Sequence, residues 1–282
     1  MKNLRLATLT LLAAIGLYGQ KYDVRLSPPD HAGHTYVVSM KGSRSQLAVS
    51  GERVLGKEDY GVEFQGRAEV LAVDGKGRPI RIAFTVERFT KAEGGNVVEL
   101  LKPGSVIVAD GSLKVPFSLK DGEMGEAARQ GFGLVHSAHK PGDVTDDEIF
   151  ATTEPKSIGD SWPMDSKLAS ESLRKTGIEI PPERLLGTTT LVGKEKVGDA
   201  DCLSVRAELK ADGFAMKDPP PGFTMDRGSM EAGFRGCFPI NGALSYRSAQ
   251  DATFEIRLTS KDLTINSRLR QSVEETWSNV GK

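Results

Sequence analysis

Apolar and polar residues alternate with a period of two along most of the chain. Between residues 263 and 277, Leu263, Ile265, Leu269, Val273 and Trp277 fall on one face, and Thr264, Asn266, Arg268, Arg270, Ser272 and Glu274 fall on the other. One dry face and one wet face is the pattern of an antiparallel strand. Tyr36, Val38 and Met40 repeat it, as do Ile80, Ile82, Phe84 and Val86, and then Phe254, Ile256 and Leu258. Turn residues punctuate these runs. Asp74-Gly75-Lys76-Gly77, Gly198-Asp199-Ala200-Asp201 and Asn241-Gly242 each stand between two strand patterns. Asn-Gly between apolar stretches is a strong hairpin cue, because both central residues of its turn need positive φ. The chain is therefore expected to be mainly β, a meander of long antiparallel strands.

Two segments break the period. Over residues 123–139, Met124, Ala128, Phe132 and Val135 recur at spacings of three and four, which puts one apolar face on a helix. Gly125, Gly131 and Gly133 weaken it by up to ~1 kcal/mol each relative to Ala. Over residues 165–176 a capping Asp165 or Ser166 opens a second helix. Leu168, Ala169 and Leu173 point inward, and Gly177 stops it. Each helix has one greasy face and is expected to lie as a lid on the sheet. The two halves, residues 20–160 and 161–282, each hold long hairpins and one helix without a residue-level repeat. They are read as two lobes of one β-rich domain spanning residues 20–282.

The first residues change the picture of where the chain works. Lys2 and Arg5 precede an apolar run from Leu6 to Leu17 that is too short to cross a bilayer of about 30 Å. This is the pattern of a signal peptide, expected over residues 1–19. No Cys lies near its end, so no lipoprotein anchor is expected, and no later apolar run is long enough for a transmembrane helix. The expected location is the periplasm or the extracellular space of a bacterium. The whole chain carries 37 basic and 38 acidic residues. Loss of the leader removes Lys2 and Arg5 and no acid. That evenly mixed, weakly acidic balance gives no electrostatic case for a nucleic-acid partner.

Cys202 and Cys237 are the only cysteines. Strands folded symmetrically about Asp218-Pro219-Pro220-Pro221-Gly222 would bring the two opposite each other. An oxidising compartment favours a disulfide there, with roughly 3–4 kcal/mol from loop closure. The alternative is two buried free thiols.

One stretch resembles a known pattern. Thr153-Glu154-Pro155-Lys156-Ser157-Ile158-Gly159-Asp160-Ser161-Trp162 resembles the Pro, basic, x, Val-Gly-Asp-x-Trp signature of a family of exported bacterial domains of unknown function. Gly33-His34-Thr35-Tyr36, the 73–79 turn and residues 236–242 resemble further short motifs of that family, though His34 replaces a short polar or acidic residue. The resemblance implies a curved antiparallel half-barrel similar to the periplasmic lipoprotein carriers. It implies no established activity. Within the signature, Gly159 allows a turn, Asp160 can accept from backbone N–H groups, and Trp162 plugs the core. The alternative places Trp162 in the wall of a ligand cavity.

All four histidines sit in two H-x-x-H pairs, His31 with His34 and His136 with His139. Four such nitrogens could hold zinc. The plainer reading is a solvated turn for the first pair and a helix C-terminus for the second, where the dipole favours His. No H-E-x-x-H, P-loop, dinucleotide fingerprint or G-x-S-x-G elbow occurs. No catalytic residue and no cofactor is expected. Two functions follow. The first is a non-enzymatic envelope protein whose concave face, lined by Ile82, Phe84, Trp162, Phe254, Ile256 and Leu258, takes an apolar small molecule or an envelope partner. The second is a metal-binding protein or metal-dependent hydrolase built on His31, His34, His136 and His139.

Overall fold

A computed structural model describes residues 20–27, 29–198, 200–240 and 246–280. The expected leader over residues 1–19 and the Asn241-Gly242 turn lie outside them. The main body is one 12-stranded antiparallel sheet that does not close. Its first half runs β2 (Thr35–Ser50), β3 (Arg53–Val73), β4 (Pro79–Glu93), β6 (Val106–Asp110) and β7 (Phe117–Leu119), with β5 (Asn96–Glu99) also paired to β4. Its second half runs β16 (Thr264–Asn279), β15 (Tyr246–Thr259), β14 (Thr224–Pro239), β12 (Ala200–Asp212), β11 (Leu185–Val197) and β9 (Ser161–Pro163), and β10 (Ile178–Glu179) pairs with β13 (Ala215–Met216) apart from it. The halves meet where β2 pairs with β16, from Tyr36 opposite Asn279 to Val49 opposite Asn266. The architecture agrees with the curved α+β half-barrel expected from sequence.

The alternation read from sequence sets the inner face. Tyr36, Val38 and Met40 are buried there with Val62 and Phe64 of β3 and Ile82, Phe84 and Val86 of β4. The register of β3 and β4 then slips. Gln65 faces Arg88 and Gly66 faces Val86, so Glu87 is extra and Phe89, not Arg88, follows Val86 inward. A bulge shifts the period by one in this way. Gly66 is required at the slip, because a Cβ there would sit 2.2 Å from the Thr85 carbonyl oxygen.

Three helices cover this face. The first, α1 (Glu126–Val135), buries Ala128, Gly131, Phe132 and Val135 on β2 and β3. It is shorter than the expected 123–139. Gly125 is an extended cap without a side-chain bond, and His136 is already extended at φ −142°. The second, α2 (Asp146–Phe150), was not expected. Thr145 and Glu148 form a reciprocal capping box that makes one turn stable in so short a segment. The third, α3 (Ser166–Lys175), matches the expectation. Asp165 accepts from the Lys167 and Leu168 amides at 3.0 Å, and Gly177 has φ +90°.

A strap completes the layer over the sheet. Strand β1 (Lys21–Tyr22) pairs with β8 (Lys156–Ser157). Tyr22, Val24 and Leu26 are buried against Trp162, Leu203, Val205 and Phe238 of the second half. The Asp147 carboxylate accepts from the Leu26 and Ser27 amides. The Asp30 amide then donates to Gly77 in the β3–β4 turn. Residues 20–27 and 29–34 thus lie over both halves of the sheet, the first against the second half and the second against the β3–β4 turn.

The signature around residue 160 has a structural role. Gly159 has φ +95°, Asp160 accepts from the Ser157 amide at 2.8 Å, and Trp162 is buried with its Nε1 donating to the Phe150 carbonyl at 2.8 Å. Trp162→Phe keeps most of the packing and orphans that carbonyl. It is expected to lower stability by about 1–2 kcal/mol in urea unfolding. A loss below the measurement error would mean that the bond does not hold α2 to β9.

The expected disulfide is absent. Cys202 and Cys237 are both buried free thiols. The register places Cys202 opposite Pro239 and Cys237 opposite Ser204, two residues away from the symmetric pairing. The centre of the pairing falls one residue later than assumed, so the two side chains sit diagonally on one face. Burial, and then the neighbouring Cys202, push the Cys237 thiol up to about 12.

Candidate binding cavity

Between the strap, the segment from Leu134 to Glu148 and the centre of the sheet lies a cavity of about 530 Å³. Its floor is built by pairing. Trp277 faces Val38 and Tyr246, and Glu275 faces Met40 and Ser248. Val273 and Gln250 come next in the same direction. A second hollow of about 230 Å³ shares Leu26, Asp146, Phe234, Gln250 and Val273 with the first and continues over β12 and β14. There Ala207, Ala232, Gly233 and Ala252 are too small to fill the space.

Four rings of the floor form a ladder. Phe234 stacks on Phe238 at 5.8 Å, Phe238 on Tyr246 at 6.4 Å, and Tyr246 on Trp277 at 5.9 Å, with interplanar angles of 24°, 19° and 13°. Tyr36 meets Trp277 edge-on at 5.6 Å. Offset stacks and edge contacts of this kind are favoured by the ring quadrupoles. All five rings border the cavity.

Polar groups are set into this apolar bed. Glu275 accepts from Ser248 Oγ at 2.8 Å and Trp277 Nε1 at 2.9 Å. Burial and then the Asp146 charge raise its carboxyl above the ordinary range, against the lowering effect of those two bonds. Burial and the nearby Glu275 raise the Tyr246 hydroxyl. Burial and the Asp30 carboxylate raise Tyr36, whose hydroxyl donates to Asp30 at 3.0 Å. His136 packs on Phe84 at 4.8 Å, Phe132 at 5.7 Å and Trp277 at 6.3 Å. Burial among these rings, reinforced by His139, pushes its imidazole down to about 3. His136 is therefore neutral at physiological pH, and the solvated helix-end role expected for it is overturned. His139 is the more exposed of the pair, and it too lies beyond α1.

The residues expected at the site scatter. Ile82 borders the cavity. Phe84 lies behind it, fully buried among Phe64, Phe132 and His136. Trp162 does not border the cavity; it packs in the cluster under the strap, behind Leu26 and Phe238, which do. Phe254 and Ile256 pack on the cluster around Met230 and Phe214. Leu258 is half-buried near the far end of the β15–β16 hairpin, opposite Ile265. The histidine pairs stay apart, with Tyr36 and Trp277 between His34 and His136. Among the described residues no three His, Cys, Asp or Glu side chains converge to hold a metal ion. The four-histidine centre is not assembled. His34 Nδ1 instead bonds Asp30 at 2.6 Å, and among the described residues no hydroxyl or thiol bonds its other nitrogen.

Sequence reasoning passed over Phe234, Phe238 and Tyr246, and it read Trp277 only as a strand residue. The available signal was their spacing. Phe234 and Phe238 are both even-numbered on one strand and so share a face, whereas Tyr246 joins them only through the register that sets Cys237 opposite Arg247, which spacing alone does not give.

No protein-family model matches the chain, and no curated protein matches it in sequence. Solved structures align only loosely. An outer membrane protein of Vibrio cholerae, OmpT lacking loop L8, aligns over 86% of this chain and 99% of its own at 8% identity and a TM-score of 0.24. DynF from the dynemicin biosynthesis pathway of Micromonospora chersina covers 94% of each chain at 8% identity and a TM-score of 0.20. The LolA superfamily protein NE2245 from Nitrosomonas europaea covers 86% of each at 10% identity and a TM-score of 0.12. Likeness at this level carries no argument about function.

Proposed function

We propose that this is an exported, non-enzymatic binding protein that takes an apolar or amphipathic small molecule into the cavity beneath the strap. The observation that carries this reading is the aromatic ladder flooring a cavity of about 530 Å³. Sites for small organic ligands are concave, some 300–1,000 Å³ in size, and combine apolar walls with convergent polar groups; here the aromatic floor faces a polar roof that carries Asp143, Asp146, Asp147 and Glu148. Export rests on the basic and apolar leader pattern. In addition, no helix among the described residues is long and apolar enough to cross a membrane. Perturbed titratable groups in a cleft also raise the prior for catalysis. Here Asp30 is shared by His34 and the Tyr36 hydroxyl, and among the described residues no hydroxyl or thiol reaches the second nitrogen of His34 as the nucleophile of covalent catalysis would, which favours the binding reading.

The test is titration with N-phenyl-1-naphthylamine, whose emission rises in an apolar site. Saturable binding is expected for the wild type. Val273→Phe, which fills the floor, is expected to weaken binding at least tenfold with the melting temperature held. Absence of saturable binding at any soluble dye concentration would refute the reading.

A further inference from the structure

We infer that the cavity selects amphipathic cations: an amine or quaternary ammonium group held at Glu275, with its apolar body along the Phe234–Trp277 ladder. The inference rests on the binding reading above and specifies the ligand.

The argument begins with charge. Glu275 lies on the floor toward the C-terminal end of β16. Its side-chain partners, Ser248 and Trp277, are neutral donors, and among the described residues no cation pairs with it. A carboxylate among aromatic rings is costly unless a counter-charge approaches. The two basic side chains of the lining are already engaged. Arg78 bonds Asp74 at 3.2 Å and the Lys140 carbonyl at 2.8 Å, and Lys76 bonds Glu148 at 2.7 Å. Asp146 borders the cavity from the roof and also lacks an ion pair among the described residues. An anionic head would thus face Glu275 and Asp146 with no free cation to meet it. A cationic head would find both.

The neighbours of Glu275 fit the same ligand. Trp277 and Tyr246 flank it on β16 and β15, and Tyr36 lies beyond Trp277. Aromatic rings attract ammonium groups and exclude water, which strengthens a carboxylate–ammonium contact through the lower local dielectric. The polar head has one place to sit, and the apolar hollow past Val273 and Phe234 leads away from it. Cation and apolar tail therefore have separate, adjoining seats.

The decisive experiment is calorimetric titration of the full chain with three probes sharing one tail, all below their micelle concentrations: n-decyltrimethylammonium, n-decanol and n-decanoate. The ammonium is expected to bind at least tenfold tighter than decanol, and decanoate weakest. Glu275→Gln keeps an acceptor for Ser248 and Trp277 and is expected to bring the ammonium to the level of decanol without changing decanol. Asp146→Asn, on the exposed roof, is expected to weaken the ammonium about threefold. Equal binding of the three probes to the wild type would overturn the cation selectivity and leave the apolar cavity standing. Tightest binding of decanoate would do the same. Binding of none would overturn both readings. The wild-type comparison decides even if Glu275→Gln does not fold.

Discussion

Replacing Phe132 with Ala is expected to lower unfolding free energy by about 3–5 kcal/mol, the range for removing a buried aromatic ring from a close-packed core. Phe132 is fully buried on the inner face of α1. Its ring meets Phe84 at 5.1 Å, Phe64 and Phe117 at 5.3 Å and Phe89 at 5.9 Å, all in edge-to-face arrangements. These partners come from β3, β4 and β7, so one side chain ties the helix to three strands. Neither end of α1 is anchored by a side-chain cap, and its glycines weaken it, so packing must supply most of what holds the helix. The melting temperature is expected to fall by roughly 10 °C, at about 2–4 °C per kcal/mol for a chain of this size. Leu186→Ala is the matched control. Leu186 is 68% exposed, and its loss is expected to stay within about 0.5 kcal/mol. Urea unfolding of both variants gives the comparison. A loss under about 1.5 kcal/mol for Phe132→Ala would mean that α1 docks by some other contact.

The fold was legible because its strands obey period two over long distances. Tyr36, Val38 and Met40 could be assigned to the inner face without knowing what lies opposite. Pairing partners were less accessible. The Cys202–Cys237 expectation failed through a register error of two residues, which an alternation pattern cannot detect, since such a slip keeps every side chain on the same face. Glu87 shows the converse, because a single-residue bulge reverses the faces and breaks the pattern locally. The helix α2 carried a readable signal in Thr145 and Glu148, yet five residues give no periodicity to draw notice to it.

The cavity was harder to read for a physical reason. Period two says that Phe84 and Ile82 face inward, and inward has two meanings in a half-barrel covered by helices: against a helix, or against open space. Phe84 meets α1, whereas Ile82, two residues earlier, meets the cavity. Which of the two holds depends on where α1 ends, and α1 ends at Val135 because His136 turns extended. The same local event carries His136 away from solvent and into the rings, against the role its position near a helix terminus suggested.

That burial yields a prediction about pH. His136 titrates near 6.5 when unfolded and about 3 when folded, so between these values the unfolded chain binds the extra proton. Stability from this group is fully present above pH 6.5 and is lost as pH falls toward 3. At pH 4 the loss amounts to about 3 kcal/mol, at ~1.4 kcal/mol per pH unit. Other groups in the cavity wall, and Asp74 behind Arg78, respond in both directions. Glu275 and Asp147 have raised folded values, so each favours the folded state more as pH falls. Asp74 and Glu148 have lowered values and lose stability in acid, as His136 does. His139, lowered by burial, adds to His136. Comparison with His136→Phe isolates the imidazole, since Phe occupies a similar volume against Phe84, Phe132 and Trp277 and does not titrate. Urea unfolding at pH 7.5, 5.5 and 4 is expected to show the wild type losing about 3 kcal/mol more than His136→Phe over the range, nearly all of it below pH 6.5. Parallel curves for the two proteins would mean that His136 is hydrated in the folded state. In that case the end of the cavity beside it is wet, and the apolar body of a ligand would have to lie on the Phe234 side of Glu275.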